Sequence, residues 1–113
     1  MELIYKNIGD VVSLNFKGRL DASSAAQAEQ AVQEFLGSGG RKLLIDLTGL
    51  EYISSAGLRV ILIASKGIKR NSGKLALCGL AGNVRDVLDI SGLAALFSVA
   101  EGEREAVALL AGD

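Results

Sequence analysis

The sequence predicts an α/β fold built on one mixed, mostly parallel sheet. Apolar runs typical of buried strands alternate along the chain with segments whose apolar residues recur at helical spacing. This alternation is typical of parallel strands that are covered by helices. Glycines fall between the periodic segments and mark the turns. We expect about four to five strands and about four helices in a single domain, residues 1–113.

The first half of the chain predicts a hairpin, a helix and a buried strand. Residues 11–16 begin apolar and then alternate, which is typical of a strand, and residues 3–5 supply its hairpin partner. Apolar side chains three and four residues apart then predict a helix over about 25–35, which ends in the glycine-rich segment 37–40. The almost continuous apolar run 43–47 predicts a strand that is covered on both faces.

The second half continues the alternation. A loop at Ser54 leads into a helix that reaches about Arg70, and a short buried strand follows over 75–78. A third helix is predicted around 84–88, an edge strand over 96–99, and a short amphipathic helix over 103–110. The one cysteine, Cys78, falls in a strand pattern and is expected to be buried and unreactive.

The composition excludes several classes of function. The chain contains no histidine, so it has neither a Ser-His-Asp arrangement nor a metal site with histidine ligands. With one cysteine it cannot form an internal disulfide or a four-thiolate zinc site. A formal charge of −1 gives no reason to expect nucleic acid or an anionic membrane as a partner. We therefore predict a binding protein, not an enzyme, without a metal or cofactor.

Nothing near the N-terminus resembles a signal peptide, because the order of basic, apolar and small residues is missing. The longest apolar stretch, residues 60–64, is far too short to cross a bilayer. The single cysteine suits a reducing compartment. The expected location is the cytoplasm.

The segment around Ser54 and Ser55 carries the functional information. Serine is a favoured N-cap, since its hydroxyl can accept a hydrogen bond from a free backbone N–H at the start of a helix. The same helix end carries a positive partial charge and can hold a phosphate. Local physics therefore permits two interpretations: the serines are caps only, or one of them is a phosphorylation switch.

The wider segment resembles the signature of the STAS family, named for sulfate transporters and anti-sigma-factor antagonists. In that pattern a buried strand ends in Asp or Asn, a hydrophobic-aromatic turn follows, and then comes Asp-Ser-Ser/Thr/Ala-Gly-Leu. The matching residues here are Ile45-Asp46-Leu47, Tyr52-Ile53 and Ser54-Ser55-Ala56-Gly57-Leu58. Two flanking segments agree, Gly18-Arg19-Leu20-Asp21 and Val87-Leu88-Asp89-Ile90-Ser91-Gly92-Leu93, so the resemblance covers nearly the whole chain.

The resemblance implies a STAS-like fold and an antagonist that binds an anti-sigma factor and so frees a sigma factor. In such systems the anti-sigma factor is often a serine kinase that phosphorylates the antagonist, and a PP2C-type phosphatase reverses the reaction. The family's acceptor corresponds to Ser55, with Ser54 as the second choice. Asp21 and Asp46 match positions that line the acceptor loop, so we expect them beside Ser55. The alternative is a STAS scaffold subunit of a transporter or a sensory complex, without a phospho-switch.

Three residues depart from the family pattern. Ser54 stands where many members have Asp, Ala56 where Ser or Thr is common, and Arg59 where Gly is common. The changes at 54 and 59 remove a negative charge and add a positive one. They should make a phosphate at Ser55 easier to hold, and the alternative interpretation is a differently charged partner.

The helix after the serines supplies the expected contact surface. Ile63 lies among the basic residues Arg59, Lys66 and Arg70 of this helix. It is either an apolar anchor for the partner or part of a solvated basic face. The predicted partner-binding residues are Asp21, Asp46, Ser54, Ser55, Ala56, Gly57, Leu58, Arg59 and Ile63.

Residues 67–75 partly resemble a P-loop, the phosphate-binding loop of many nucleotide-binding proteins. They have the wrong glycine spacing, however, and Leu75 in place of the Ser or Thr. For nucleotides, the resemblance to the STAS family implies weak binding at most.

Overall fold

A computed structural model describes residues 1–112 of the protein. The strands are β1 (Glu2–Ile8), β2 (Val11–Leu20), β3 (Lys42–Asp46), β4 (Leu50–Ile53), β5 (Lys74–Cys78) and β6 (Ser98–Ala100). The helices are α1 (Ala25–Gly37), α2 (Ser55–Arg70), α3 (Gly82–Ile90) and α4 (Glu103–Leu110). A single 3₁₀ turn, Leu93–Leu96, precedes β6.

The strands form one mixed sheet in the order β1-β2-β3-β5-β6. Among residues 1–112, only the β1–β2 hairpin is antiparallel, and β2–β3, β3–β5 and β5–β6 are parallel pairs. The hairpin turn at Gly9 has a positive φ of 62°, a conformation that glycine adopts without strain. The predicted mixed, mostly parallel sheet with four helices is confirmed.

The sheet has six strands in residues 1–112, against the four to five expected. The additional strand is β4, which pairs in parallel with the last part of β2 only. This pairing is available because β2 has 10 residues and β3 covers only residues 12–15 of it. A four-residue strand within an apparent loop has too few residues to show a period.

The two faces of the sheet have separate hydrophobic cores. Leu43 and Ile45 of β3 pack with α1, α2 and α3 in the larger core. Leu44, between them, faces the opposite side and packs with Ala106 and Leu110 of α4. Successive side chains of a strand point to opposite faces, so a strand covered on both sides must be apolar throughout. This arrangement explains the continuous apolar run in β3.

The end of the chain differs in detail from the expectation. The edge strand predicted over 96–99 occupies Ser98–Ala100, because the residues before it form the 3₁₀ turn. Leu93 in that turn packs against the larger core, whereas Leu96 is 66% exposed. The predicted helix 103–110 is confirmed with the same limits.

Truncating Ile45 should test the two-faced packing of β3. Ile45 is fully buried, so Ile45→Ala removes buried methyl groups and leaves a cavity, and we expect a loss of about 2–5 kcal/mol in the free energy of unfolding. Leu96→Ala removes an exposed side chain and should change it by less than about 0.5 kcal/mol. Urea unfolding followed by circular dichroism measures both. Equal losses would contradict the assignment of Ile45 to the core.

Candidate functional site

The serine pair lies where β2 and β4 end side by side. Leu20 and Ile53 are the last residues of the two strands and are opposite each other in the register. The backbone N–H of Ser54 donates a hydrogen bond of 3.0 Å to the Leu20 carbonyl, which extends the strand pairing by one residue. Helix α2 then begins at Ser55. The short strand β4 thus fixes the start of α2 against the end of β2.

The two serines have different environments. Ser54 is the N-cap residue of α2, and its carbonyl accepts a 2.9 Å hydrogen bond from the Leu58 N–H. Its hydroxyl, however, makes no capping bond, and the Oγ atom is buried without a hydrogen-bond partner within residues 1–112. Ser55, the first helical residue, is exposed. Of the two serines, Ser55 is therefore the one at the surface, whereas the Ser54 hydroxyl is shielded.

Gly57 lets the first turn of α2 approach the strand ends. A Cβ atom at this position would lie 2.7 Å from Ile53 Cγ1 and 2.8 Å from the Leu20 carbonyl oxygen. The carbonyl belongs to the backbone of β2 and cannot turn away as a flexible side chain would. A side chain at 57 would therefore push α2, and Ser55 with it, away from the sheet.

Asp21 lies at the same edge of the sheet as Ser55. It directly follows Leu20, whose carbonyl binds Ser54, and its Oδ1 accepts hydrogen bonds from the hydroxyl (2.7 Å) and the N–H (3.0 Å) of Ser23. These bonds, with that to the Ser23 hydroxyl first, lower the pKa of Asp21, so its carboxylate stays charged at neutral pH. The structure thus places Asp21 next to the strand end that holds the start of α2.

Arg19 adds a positive charge to this edge of the sheet. It is not among the site residues predicted from the sequence. Its Nε lies 3.6 Å from Asp21 Oδ2, and its guanidinium lies 4.2 Å from the centre of the Tyr52 ring. Arg19 and Tyr52 are opposite each other on β2 and β4. The contact depends on the unforeseen β4 pairing, so no local sequence signal indicated it.

Asp46 does not lie beside Ser55, and this expectation is wrong. Asp46 is the last residue of β3 and lies opposite Asn15 of β2. Ser55 comes two residues after Ile53, which lies opposite Leu20, and Leu20 is five residues further along β2 than Asn15. Asp46 also shares its sheet face with Leu44 and Cys78, the face that α4 covers. It is nearly buried, and its Oδ1 accepts a 2.9 Å hydrogen bond from the Thr48 N–H. The residue shapes the turn after β3.

Cys78 is buried beside Asp46 in the smaller core. Burial, together with the nearby Asp46 carboxylate, raises the pKa of its thiol to about 12. At neutral pH the thiol is therefore protonated, in agreement with the expectation of an unreactive cysteine.

The remaining predicted contact residues lie on the first turns of α2. Arg59 is exposed one turn after Ser55, while Ala56, Leu58 and Ile63 are half-buried. The start of α3 also joins this region, because Asn83 Oδ1 accepts a 3.3 Å hydrogen bond from the Ile53 N–H. No local sequence pattern indicated this contact, since the two residues are 30 positions apart in the chain.

Within residues 1–112, no group of three or more acidic, histidine or cysteine side chains is arranged to hold a metal ion. In the same residues, no helix combines the length and the apolar character that a membrane crossing requires.

Comparison with known proteins assigns the family. The profile of the STAS domain matches residues 2–106. The chain belongs to the STAS domain family. This STAS domain is 36% identical over 108 residues to a Bordetella bronchiseptica protein named as anti-sigma factor antagonist BtrV, an alignment that covers 96% of this chain and 93% of BtrV.

Solved structures agree with the assignment. A Thermotoga maritima protein described as an anti-sigma factor antagonist superposes on this STAS domain with a TM-score of 0.90 and 29% identity, covering 96% of this chain and 93% of the other. The phosphorylated form of the Bacillus cell fate determinant SpoIIAA superposes with a TM-score of 0.75, covering 94% and 96% of the two chains. At 19% identity the second likeness establishes the shared fold.

Substitution of Gly57 should test the close approach of α2. We expect Gly57→Ala to lower the free energy of unfolding by about 1–3 kcal/mol, because the added methyl group overlaps the Leu20 carbonyl. Gly37→Ala is the matched control: Gly37 is the last residue of α1 and has open space around it, so the change should stabilise by up to about 1 kcal/mol. Thermal or urea unfolding measures both, and stabilisation by Gly57→Ala would contradict the close contact.

Removal of the Ser54 hydroxyl should show that it does not cap α2. Ser54→Ala should leave the free energy of unfolding unchanged or raise it, because a buried oxygen without a partner is lost. A capping serine would cost about 1 kcal/mol on the same change. Ser24→Ala is the control, since the Ser24 hydroxyl binds the Arg19 carbonyl at 2.9 Å and its loss should cost about 1–3 kcal/mol. Equal losses for the two variants would contradict this description of Ser54.

Proposed function

We propose that this STAS domain is an anti-sigma-factor antagonist that binds an anti-sigma factor, and that phosphorylation of Ser55 releases it. The observation that carries the proposal is the contrast between the exposed Ser55 and the buried Ser54 Oγ at the start of α2. The likeness to BtrV over almost the whole of both chains supports the antagonist role. The protein acts by binding and needs no catalytic group of its own.

The switch follows from the charge that a phosphate adds. Phosphoserine carries about −1.5 to −2 charges at pH 7, and the N-terminus of α2 can hold them without disturbing the core. In a close interface the phosphate would lose water and meet carboxylates of the partner. Two unit charges 4 Å apart interact by about 4 kcal/mol at an effective dielectric constant of 20, and 1.4 kcal/mol is a factor of ten in affinity.

The enzymes of the switch belong to the same proposal. The anti-sigma factor would itself be the serine kinase, and a PP2C-type phosphatase would restore the free Ser55 hydroxyl, all in the cytoplasm where sigma factors act. The contact surface comprises Asp21 and the first turns of α2, including Ala56, Leu58, Arg59 and Ile63. Gly57 and Ser54 position these side chains through the backbone.

Binding kinetics with substituted proteins test the proposal. Anti-sigma factors from the same genome are immobilised and assayed with wild type, Ser55→Ala, Ser55→Asp and Ser98→Asp. We expect Ser55→Ala to bind like wild type and Ser55→Asp to bind roughly 10-fold or more weakly, because it places a negative charge at the start of α2. Ser98→Asp makes the same charge change on the exposed edge strand β6 and should leave binding unchanged.

Equal binding by Ser55→Ala and Ser55→Asp would contradict the switch while keeping the antagonist role. Failure of every anti-sigma factor to bind the wild-type protein would contradict the antagonist role itself.

A further inference from the structure

The exposed face of α2 has an unusual charge. The helix contains Arg59, Lys66, Lys69 and Arg70 but no acidic residue, so it carries a formal charge of +4. The whole chain carries −1, and the remainder of the chain therefore carries −5. All four cations are exposed, so α2 presents a net positive surface on a molecule whose remainder is net negative.

The four cations share one face of the helix with Ser55. Arg59, Lys66 and Arg70 follow Ser55 by 4, 11 and 15 residues, close to one, three and four turns of 3.6 residues. Lys69 lies beside them, whereas the buried residues Val60, Ile61, Ala64 and Ile68 occupy the opposite face. We call the face formed by Ser55, Arg59, Leu62, Ile63, Lys66, Lys69 and Arg70 the α2 stripe.

Within residues 1–112, none of the four cations has an ion-pair partner. The ion pairs found there join Lys6 to Glu103, Arg19 to Asp21, Lys42 to Asp10 and Arg85 to Asp89, all outside α2. The charges of the stripe are therefore solvated in this fold, and an external acidic group could pair with them without breaking an internal contact.

Two apolar side chains interrupt the cations. Leu62 and Ile63, in the middle of the helix, are half-buried, so part of each faces outward. An apolar centre with a charged border is the usual composition of a protein interface. A surface of this kind fits a protein better than a polyanion, because a nucleic acid or an anionic membrane would extend beyond one helix face and meet the acidic remainder of the chain.

We propose that the α2 stripe docks an acidic surface of the anti-sigma factor. The inference rests on the proposed function and specifies the partner's surface. That surface has carboxylates that face Arg59, Lys66, Lys69 and Arg70, and these surround an apolar patch that covers Leu62 and Ile63. The positive stripe attracts this surface over a distance and accelerates association.

The stripe also explains why its N-terminal end is an effective place for a phosphate. Ser55 and Arg59 are four residues apart on α2, a spacing at which helical side chains interact. A phosphate on Ser55 pairs with Arg59 and cancels about half of the +4 charge. Phosphorylation then slows association with the acidic partner as well as disturbing the contact itself.

Association rates of charge-neutralised proteins test this inference. The stripe variant is Lys66→Gln with Arg70→Gln, which leaves Ser55 and its first turn intact. The control is Lys17→Gln with Arg104→Gln, two exposed cations on β2 and α4 that remove the same total charge. Both are measured against the anti-sigma factor that binds wild type, at low and high salt, and against duplex DNA and phosphatidylserine vesicles.

We expect the stripe variant to associate roughly 10-fold more slowly at low salt and with a weaker salt dependence, while the control stays within about twofold of wild type. Equal rates for the two variants would overturn the docking inference and leave the antagonist role standing. Binding of the stripe to DNA or vesicles, with no anti-sigma factor bound, would overturn both. Absence of binding to every probe would likewise overturn both.

Discussion

The pairing of β4 with the end of β2 is the constraint on which the rest of the site depends. It holds Ile53 opposite Leu20, and the Leu20 carbonyl then binds the Ser54 N–H at 3.0 Å. Gly57 lets the first helical turn close over the same carbonyl. Two neighbouring serines consequently acquire opposite environments, one with a buried oxygen and one exposed. The difference between the two serines follows from backbone geometry, not from a difference in side-chain chemistry.

The two cores lie on opposite faces of the sheet, and only the larger one lies beneath the proposed contact surface on α2. The face under α4 contains Asp46 and Cys78, whose mutual proximity and burial give them a structural role. Helix α2 packs on the other face, with its inner residues buried and its outer residues forming the α2 stripe. Because a phosphate on Ser55 would lie at the end of that outer surface, it can change the charge seen by a partner without altering the core.

Periodicity predicted most of the fold, and contacts between distant residues account for what it missed. The alternation in β2, the continuous apolar run of β3 and the helical period of α2 predicted these elements, and the structure confirms them. Strand β4 has only four residues, so its pairing could not be inferred from the sequence. The Arg19–Tyr52 contact depends on that pairing and could not be inferred either. Asp46 was misplaced because its motif position says nothing about register, and register puts it on the α4 face.

The site of modification in the cell tests the proposed switch most directly. Intact-mass analysis of the protein purified from its own cells, followed by fragmentation, would locate any phosphate. We expect a population heavier by one phosphate, carried on Ser55, with Ser54 unmodified because its Oγ is buried. Phosphate on Ser54, or none under any growth condition with phosphatases inhibited, would contradict it.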